Sequence, residues 1–158
     1  MTQTLEARSP GLLWFGNTLV SIAVPSQTGA DRLCVVEHRA PYGDSPPLHI
    51  HRNEDEVFRV LAGRIRFKVG DEDRRLAAGD TLLAPKGVPH SYRVESAEGG
   101  HWLTITRGAD FEGLLRAASR PAEVCALPPE TAPSSEMIDT LARLAAENGI
   151  DIVGPPLG

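Results

Sequence analysis

At 158 residues the chain has room for one domain with one well-filled core, spanning 1–158, and little reason to hold two. A content of 41% hydrophobic and 23% charged residues fits a globular protein, while a net charge of −5 without clustered basic residues argues against nucleic-acid or anionic-membrane surfaces. No apolar run approaches the roughly 18 residues that cross a bilayer, and Met1–Ser9 lacks the basic-then-apolar order of a secretory signal, so a cytoplasmic protein is expected. Cys34 and Cys125 lie far apart in no metal or redox spacing and read as two reduced thiols.

In chain order, β-forming residues fill Leu12 to Val24 and Arg32 to Arg39, separated by the turn-like run Pro25-Ser26-Gln27-Thr28-Gly29. The first of these is predicted as a long apolar edge strand, which is risky if left unpaired and therefore suggests a homodimer. Short strands follow at Val57–Ala62, Ile65–Val69, Thr81–Ala84, His90–Glu95 and His101–Arg107. They are punctuated by Gly63-Arg64, Gly70 to Asp73, Gly79-Asp80 and Pro85-Lys86-Gly87. Such a density of short strands predicts an all-β barrel or sandwich over about 12–107 rather than a parallel α/β sheet. A helical C-terminal extension is expected over about 109–158. Asp110 can cap a first helix carrying Phe111, Leu114, Leu115 and Ala118, and Ser134 or Ser135 can cap a second that stops at Gly149.

Four residues carry the chemistry. His49 and His51 share a face of one strand, about 7 Å apart, close enough to hold one ion together. Three acids follow, Glu54, Asp55 and Glu56. Arg59 marks the wet face of the next strand, so Val57 and Leu61 face outward with it, and Glu56, Phe58, Val60 and Ala62 face inward. Asp55 shares parity with Arg59. Glu56 stands five residues after His51, so a turn or bulge within Arg52-Asn53-Glu54 must reset the register. In His90-Ser91-Tyr92-Arg93-Val94-Glu95, the charged Arg93 and Glu95 leave His90, Tyr92 and Val94 inside. Three imidazoles and one carboxylate then converge on one interior.

The patterns Gly43-x5-His49-x-His51-x4-Glu56-x6-Gly63 and Gly79-x5-Pro85-x-Gly87-x2-His90 resemble the two motifs of the cupin superfamily. The second motif usually closes on an Asn that is not a ligand, where this chain has Val94. Further stretches, among them Pro46-Pro47-Leu48, Gly108-Ala109-Asp110-Phe111-Glu112 and Gly149 to Leu157, look like the small single-domain cupins grouped with quercetin dioxygenases. The resemblance implies a cupin (jelly-roll) barrel, with short C-terminal helices here, holding one divalent transition metal on His49, His51, Glu56 and His90. Fe or Ni is favoured, and Mn, Zn, Co and Cu are the alternatives that this donor set admits.

With a redox metal, the resemblance implies a dioxygenase that uses O2 on a small enolic or aromatic metabolite, flavonol- or polyketide-like, with Glu56 as general base. Two alternatives stand beside it: a non-redox cyclase or isomerase of polyketide-type substrates, and a non-catalytic metal- or ligand-binding cupin. Tyr92, Phe58, Phe67, Val60 and His38 are expected to line the substrate pocket. The face of His101 is ambiguous.

Overall fold

The computed structural model describes residues 11–158, so Met1–Ser9 lies outside the described residues. Two antiparallel sheets face each other. The first contains β1 (Leu12–Phe15), β2 (Thr18–Val24), β3 (Leu33–Ala40), β5 (Glu56–Ala62), β8 (Thr81–Ala84), β10 (Gly100–Arg107) and the two-residue β11 (Arg120–Pro121). The second contains β4 (Pro47–His51), β6 (Ile65–Val69), β7 (Glu72–Leu76), β9 (His90–Val94) and β12 (Ile150–Pro156). Their strand orders are β11-β1-β2-β3-β10-β5-β8 and β12-β4-β9-β6-β7. Helices α1 (Asp110–Ala118) and α2 (Ser135–Glu147) complete the fold. This is the all-β double-sheet architecture with short helices expected from the sequence.

Alternation places the core. Phe58 and Val60 of β5, Ile65 and Phe67 of β6, Val94 of β9 and Trp102 of β10 close one cluster between the sheets. Val20, Ile22, Cys34 and Val36 pack against Leu115 of α1 in a second. Each such large side chain contributes roughly 1.5–3 kcal/mol through burial, which fixes the register of both sheets. At the tight turn between β5 and β6, Gly63 has φ 83°, and a Cβ there would collide with the Gly99 carbonyl oxygen. Only glycine meets both demands.

Three expectations change. Leu12 to Val24 is a hairpin, not one strand: it turns at Gly16-Asn17, β2 lies between β1 and β3, and β11 pairs with β1. The long apolar edge that suggested a dimer is therefore paired within the chain. The C-terminal stretch is only partly helical, since Gly149 (φ 74°) turns the chain from α2 into β12, which pairs with β4. The register reset between His51 and Glu56 is a crossing from the second sheet to the first, so the two residues face each other across the interior.

Helix α1 begins without a local cap, because Ala109 holds the N-cap position and Asp110 is already helical. Glu54 does the capping from a distance: its carboxylate accepts the backbone N–H groups of Asp110 (3.0 Å) and Phe111 (3.0 Å). A Cβ on Gly108 would meet the Glu54 carboxylate, so the residue before the N-cap has to be small. Helix α2 is capped by Ser134, whose Oγ accepts from the Met137 N–H at 3.2 Å. No helix among the described residues is long and apolar enough to cross a membrane.

Candidate metal centre

The interior between β4, β5 and β9 gathers His49, His51, Glu56 and His90, whose ligand-capable atoms all lie within 4.8 Å of one another. Strand pairing puts them there. His49 and His90 are direct cross-strand partners, and β12 flanks β4 with Ile152 opposite His49 and Ile150 opposite His51. Glu56 reaches in from the other sheet. Its Oε2 lies 2.6 Å from His90 Nε2 and 3.0 Å from His51 Nε2. The imidazole centroids are 4.5–5.3 Å apart.

Backbone carbonyls aim two of the rings. The Nδ1 of His49 lies 2.6 Å from the Pro47 carbonyl oxygen, and that of His90 lies 3.1 Å from the carbonyl oxygen of Val88. Donation from Nδ1 to these carbonyls leaves the Nε2 lone pairs to face the centre, the arrangement in which metal-ligating histidines are held. The His51 Nδ1 has no hydrogen-bond partner, with the nearest carboxylate oxygen, Glu54 Oε2, 4.0 Å away.

Burial first lowers the His49 pKa, to about 4, with His90 adding to the effect. His51 is likewise held below its ordinary value by burial, against the pull of Glu56. Burial would raise the Glu56 carboxyl, yet His51, His90 and His49 together outweigh it and bring it to about 2. Burial acts against protonated His90, but its hydrogen bond to Glu56 wins and holds the pKa up. Together these shifts favour an ionised carboxylate, hold His49 and His51 towards the neutral form, and favour a proton on the His90–Glu56 pair. A divalent cation fits this donor set, replacing that proton with a charge all four groups can share.

The other expected site residues fall into distinct places. Phe58, Phe67 and Val60 are buried in the core, with the Phe58 ring 6.1 Å from that of His90. Tyr92 faces inward, but its hydroxyl donates to Asp44 Oδ2 at 3.0 Å, and its ring packs edge-on against Trp102. Burial raises the Asp44 carboxyl to about 6 despite that bond. His38 is buried, stacked on Trp102 at 5.0 Å and on Phe111 at 5.9 Å, and burial lowers its pKa to about 4. Neither His38 Nε2 nor Trp102 Nε1 has a hydrogen-bond partner. His101 points outward, 2.6 Å from Glu37. Cys34 is buried and Cys125 exposed, both as free thiols.

Glu54 is the site neighbour that the sequence reading passed over. It is as buried as Glu56 and shares its parity, and the parity argument that excludes Asp55 does not exclude it. Asp55 accepts from the Lys86 N–H at the surface. A cleft of about 220 Å³ lined by Arg32, Asn53, Glu54, Arg107 and Asp110 reaches Glu54 but none of the four clustered residues. Of those four, His49 is the one that is only half-buried, so the cluster approaches solvent on the β4 side.

Two facing antiparallel sheets enclose three histidines and a glutamate that could hold a metal ion. The chain carries a cupin domain. The family's cupin domain matches residues 36–106, a stretch containing all four clustered residues. Among curated proteins it is similar to quercetin 2,3-dioxygenase of Bacillus subtilis (strain 168), at 32% identity over 82 residues. That match covers 52% of this chain but only 24% of the dioxygenase. Among solved structures, KdgF from Halomonas sp. superposes with a TM-score of 0.53 at 20% identity, covering 61% of this chain and 85% of that one. A predicted oxalate decarboxylase from Thermotoga maritima gives 0.54 at 21% identity, covering 57% and 79%. Both likenesses are of fold.

Proposed function

We propose that His49, His51, Glu56 and His90 hold one divalent transition metal, Fe or Ni before Mn, Zn, Co or Cu, and that the chain is an oxygenase of small enolic or aromatic metabolites. The observation that carries this reading is the convergence of His51 and His90 Nε2 on one Glu56 oxygen, with the His49 and His90 rings oriented by backbone carbonyls. The 32% identity to a quercetin dioxygenase supports the reaction class. A homodimer in a cytoplasmic setting belongs to the same proposal, although the dimer surface is not the edge expected from the sequence.

A bound divalent ion would act as a Lewis acid, lowering the pKa of a coordinated enol oxygen. The protein supplies the rest. Glu56, ionised and aimed at the centre, takes the substrate hydroxyl proton and holds it on Oε2. The carbonyls of Pro47 and Val88 keep the His49 and His90 rings from rotating as the substrate enters. Phe58 beside His90 and Phe111 beside His51 keep the surroundings dry, which strengthens every charge interaction at the centre. The reading is tested by elemental analysis of protein purified without chelator, followed by O2 uptake with a flavonol. It expects Fe or Ni, O2 uptake, and loss of uptake in Glu56→Gln. Zinc as the sole metal, with no O2 uptake, overturns it.

One observation favours a second reading, a non-redox cyclase or isomerase. Buried His38 is neutral, with Nε2 unpartnered beside unpartnered Trp102 Nε1, so a substrate carbonyl and an exchangeable proton could both be served without O2. Turnover of a polyketide-type substrate under anaerobic conditions distinguishes this reading from the first. A chain that binds metal but turns over neither substrate class is the third, non-catalytic outcome.

A further inference from the structure

Of the three clustered histidines, two have both ring nitrogens accounted for. His49 and His90 each rest Nδ1 against a backbone carbonyl, of Pro47 and Val88. His51 does not. It is 2% exposed, its Nε2 lies 3.0 Å from Glu56 Oε2, and its Nδ1 is buried without a hydrogen-bond partner. A neutral imidazole has one N–H and one lone pair, so a His51 that gives its Nε2 lone pair to a cation carries its proton on Nδ1. A buried N–H left unpaired costs about as much as a lost hydrogen bond.

The nearest carboxylate oxygen is Glu54 Oε2, 4.0 Å from His51 Nδ1, and both side chains are 2% exposed. That separation is beyond hydrogen-bond range, and about 1 Å of side-chain movement closes it. The surroundings hold the carboxylate in place. Oε1 accepts the Asp110 N–H and Oε2 the Phe111 N–H, each at 3.0 Å, so Oε2 keeps a second lone pair. A Cβ on Gly108 would collide with Oε1, which closes another side. The Phe111 ring, on the residue whose N–H Oε2 accepts, stands edge-on to the His51 ring with centroids 6.0 Å apart. A helix cap is ordinarily supplied by a side chain at the N-cap itself, yet Ala109 holds that position and the cap comes from beside a site histidine. The partners this places around Glu54 are all donors: two backbone N–H groups and the Nδ1–H. A carboxylate can accept from all three, whereas an amide of the same shape offers one accepting oxygen and an NH2 group with nothing to donate to.

We propose that Glu54 is the positioning residue for His51, receiving its Nδ1–H and so fixing the tautomer and ring angle with which Nε2 meets a metal ion. The Pro47 and Val88 carbonyls do the same for His49 and His90. The inference rests on the metal reading of the four clustered residues.

The test titrates the chelator-stripped native chain and Glu54→Gln with Zn(II) against a competing chelator, then compares the loaded proteins by NMR with 15N-labelled histidine. Glu54→Gln should bind Zn(II) roughly ten- to a hundredfold more weakly. The His51 Nδ1–H resonance should exchange slowly in the native chain and broaden away in the variant. Those of His49 and His90 should stay unchanged in both. A helix cap with no part in the site would leave the Zn(II) affinity and the His51 resonance unmoved, and that result overturns the proposal. Loss of all three resonances together also overturns it, because it marks a general loosening. If Glu54→Gln fails to fold, Glu54→Asp, which keeps the charge but withdraws it by one methylene, should show the same His51-selective loss with a smaller drop in affinity. A native chain that takes up no Zn(II) defeats the metal reading and this inference with it. Native uptake with an unmoved variant defeats this inference alone.

Discussion

The two faces of strand β10 differ in how their polar groups are partnered. Inward it presents Trp102, Thr104 and Thr106, three buried residues with polar atoms, of which Trp102 Nε1 and Thr106 Oγ1 have no partner. Outward it presents His101, Leu103, Ile105 and Arg107, with the His101 ring 2.6 Å from Glu37. In neighbouring β5 the inner face sets Glu56 beside the core residues Phe58 and Val60, and the outer face sets exposed Arg59 between Val57 and Leu61. Polar groups are kept unpartnered in an interior only at a cost, whereas at a surface neighbours and water satisfy them. The inner face, with its unpartnered buried polar atoms, is thus read as the site of chemistry and the outer face as an ordinary solvated one.

Substitutions can break that comparison. The largest effect is expected on the inner face: Trp102→Ala should cost about 3–5 kcal/mol in chemical unfolding, because a fully buried ring stacked on His38 leaves a cavity. An outer-face change of similar character, Leu83→Ser, should cost well under about 1 kcal/mol when measured on the monomer. Equal costs would mean that the two faces are not distinct.

Asp44 sharpens the inner-face side through pH. Its folded pKa is raised from 3.8 to about 6, so the native state holds the proton longer than the unfolded chain. Stability from this group is therefore lost as pH rises from about 4 to 6, on the order of 2–3 kcal/mol in total. Asp44→Asn, which still offers Tyr92 an acceptor, should flatten that part of the stability–pH curve. A slope unchanged in the variant would remove Asp44 as its source. Glu54→Ala should cost somewhat less, about 1–2 kcal/mol, by uncapping α1. The matching observation is faster amide hydrogen exchange at Asp110 and Phe111, whose N–H groups bond the Glu54 carboxylate.

How much of this the chain displays before folding depends on how local the cause is. Glu56 was legible because Arg59, three residues on, marks the wet face of the same strand. The all-β class was legible from turn residues spaced a few positions apart. Glu54 was not, because the backbone groups it caps are 56 and 57 residues away. Strand β12 was missed for two reasons: its partner β4 lies about 100 residues earlier, and Gly154-Pro155-Pro156 reads as a break, whereas an edge strand tolerates proline. The β1–β2 turn is a different failure. Gly16-Asn17 is an ordinary hairpin signal, and the long run of β-formers around it hid the fold-back.

The central claim is that one metal ion is held by His49, His51, Glu56 and His90. It is tested most directly by metal analysis of the native chain and of a His49→Ala/His51→Ala double variant, both purified without chelator and both checked for native circular dichroism. The account predicts close to one equivalent of a divalent transition metal in the native chain and less than about a tenth of that in the variant. Equal metal content in the two proteins would contradict it.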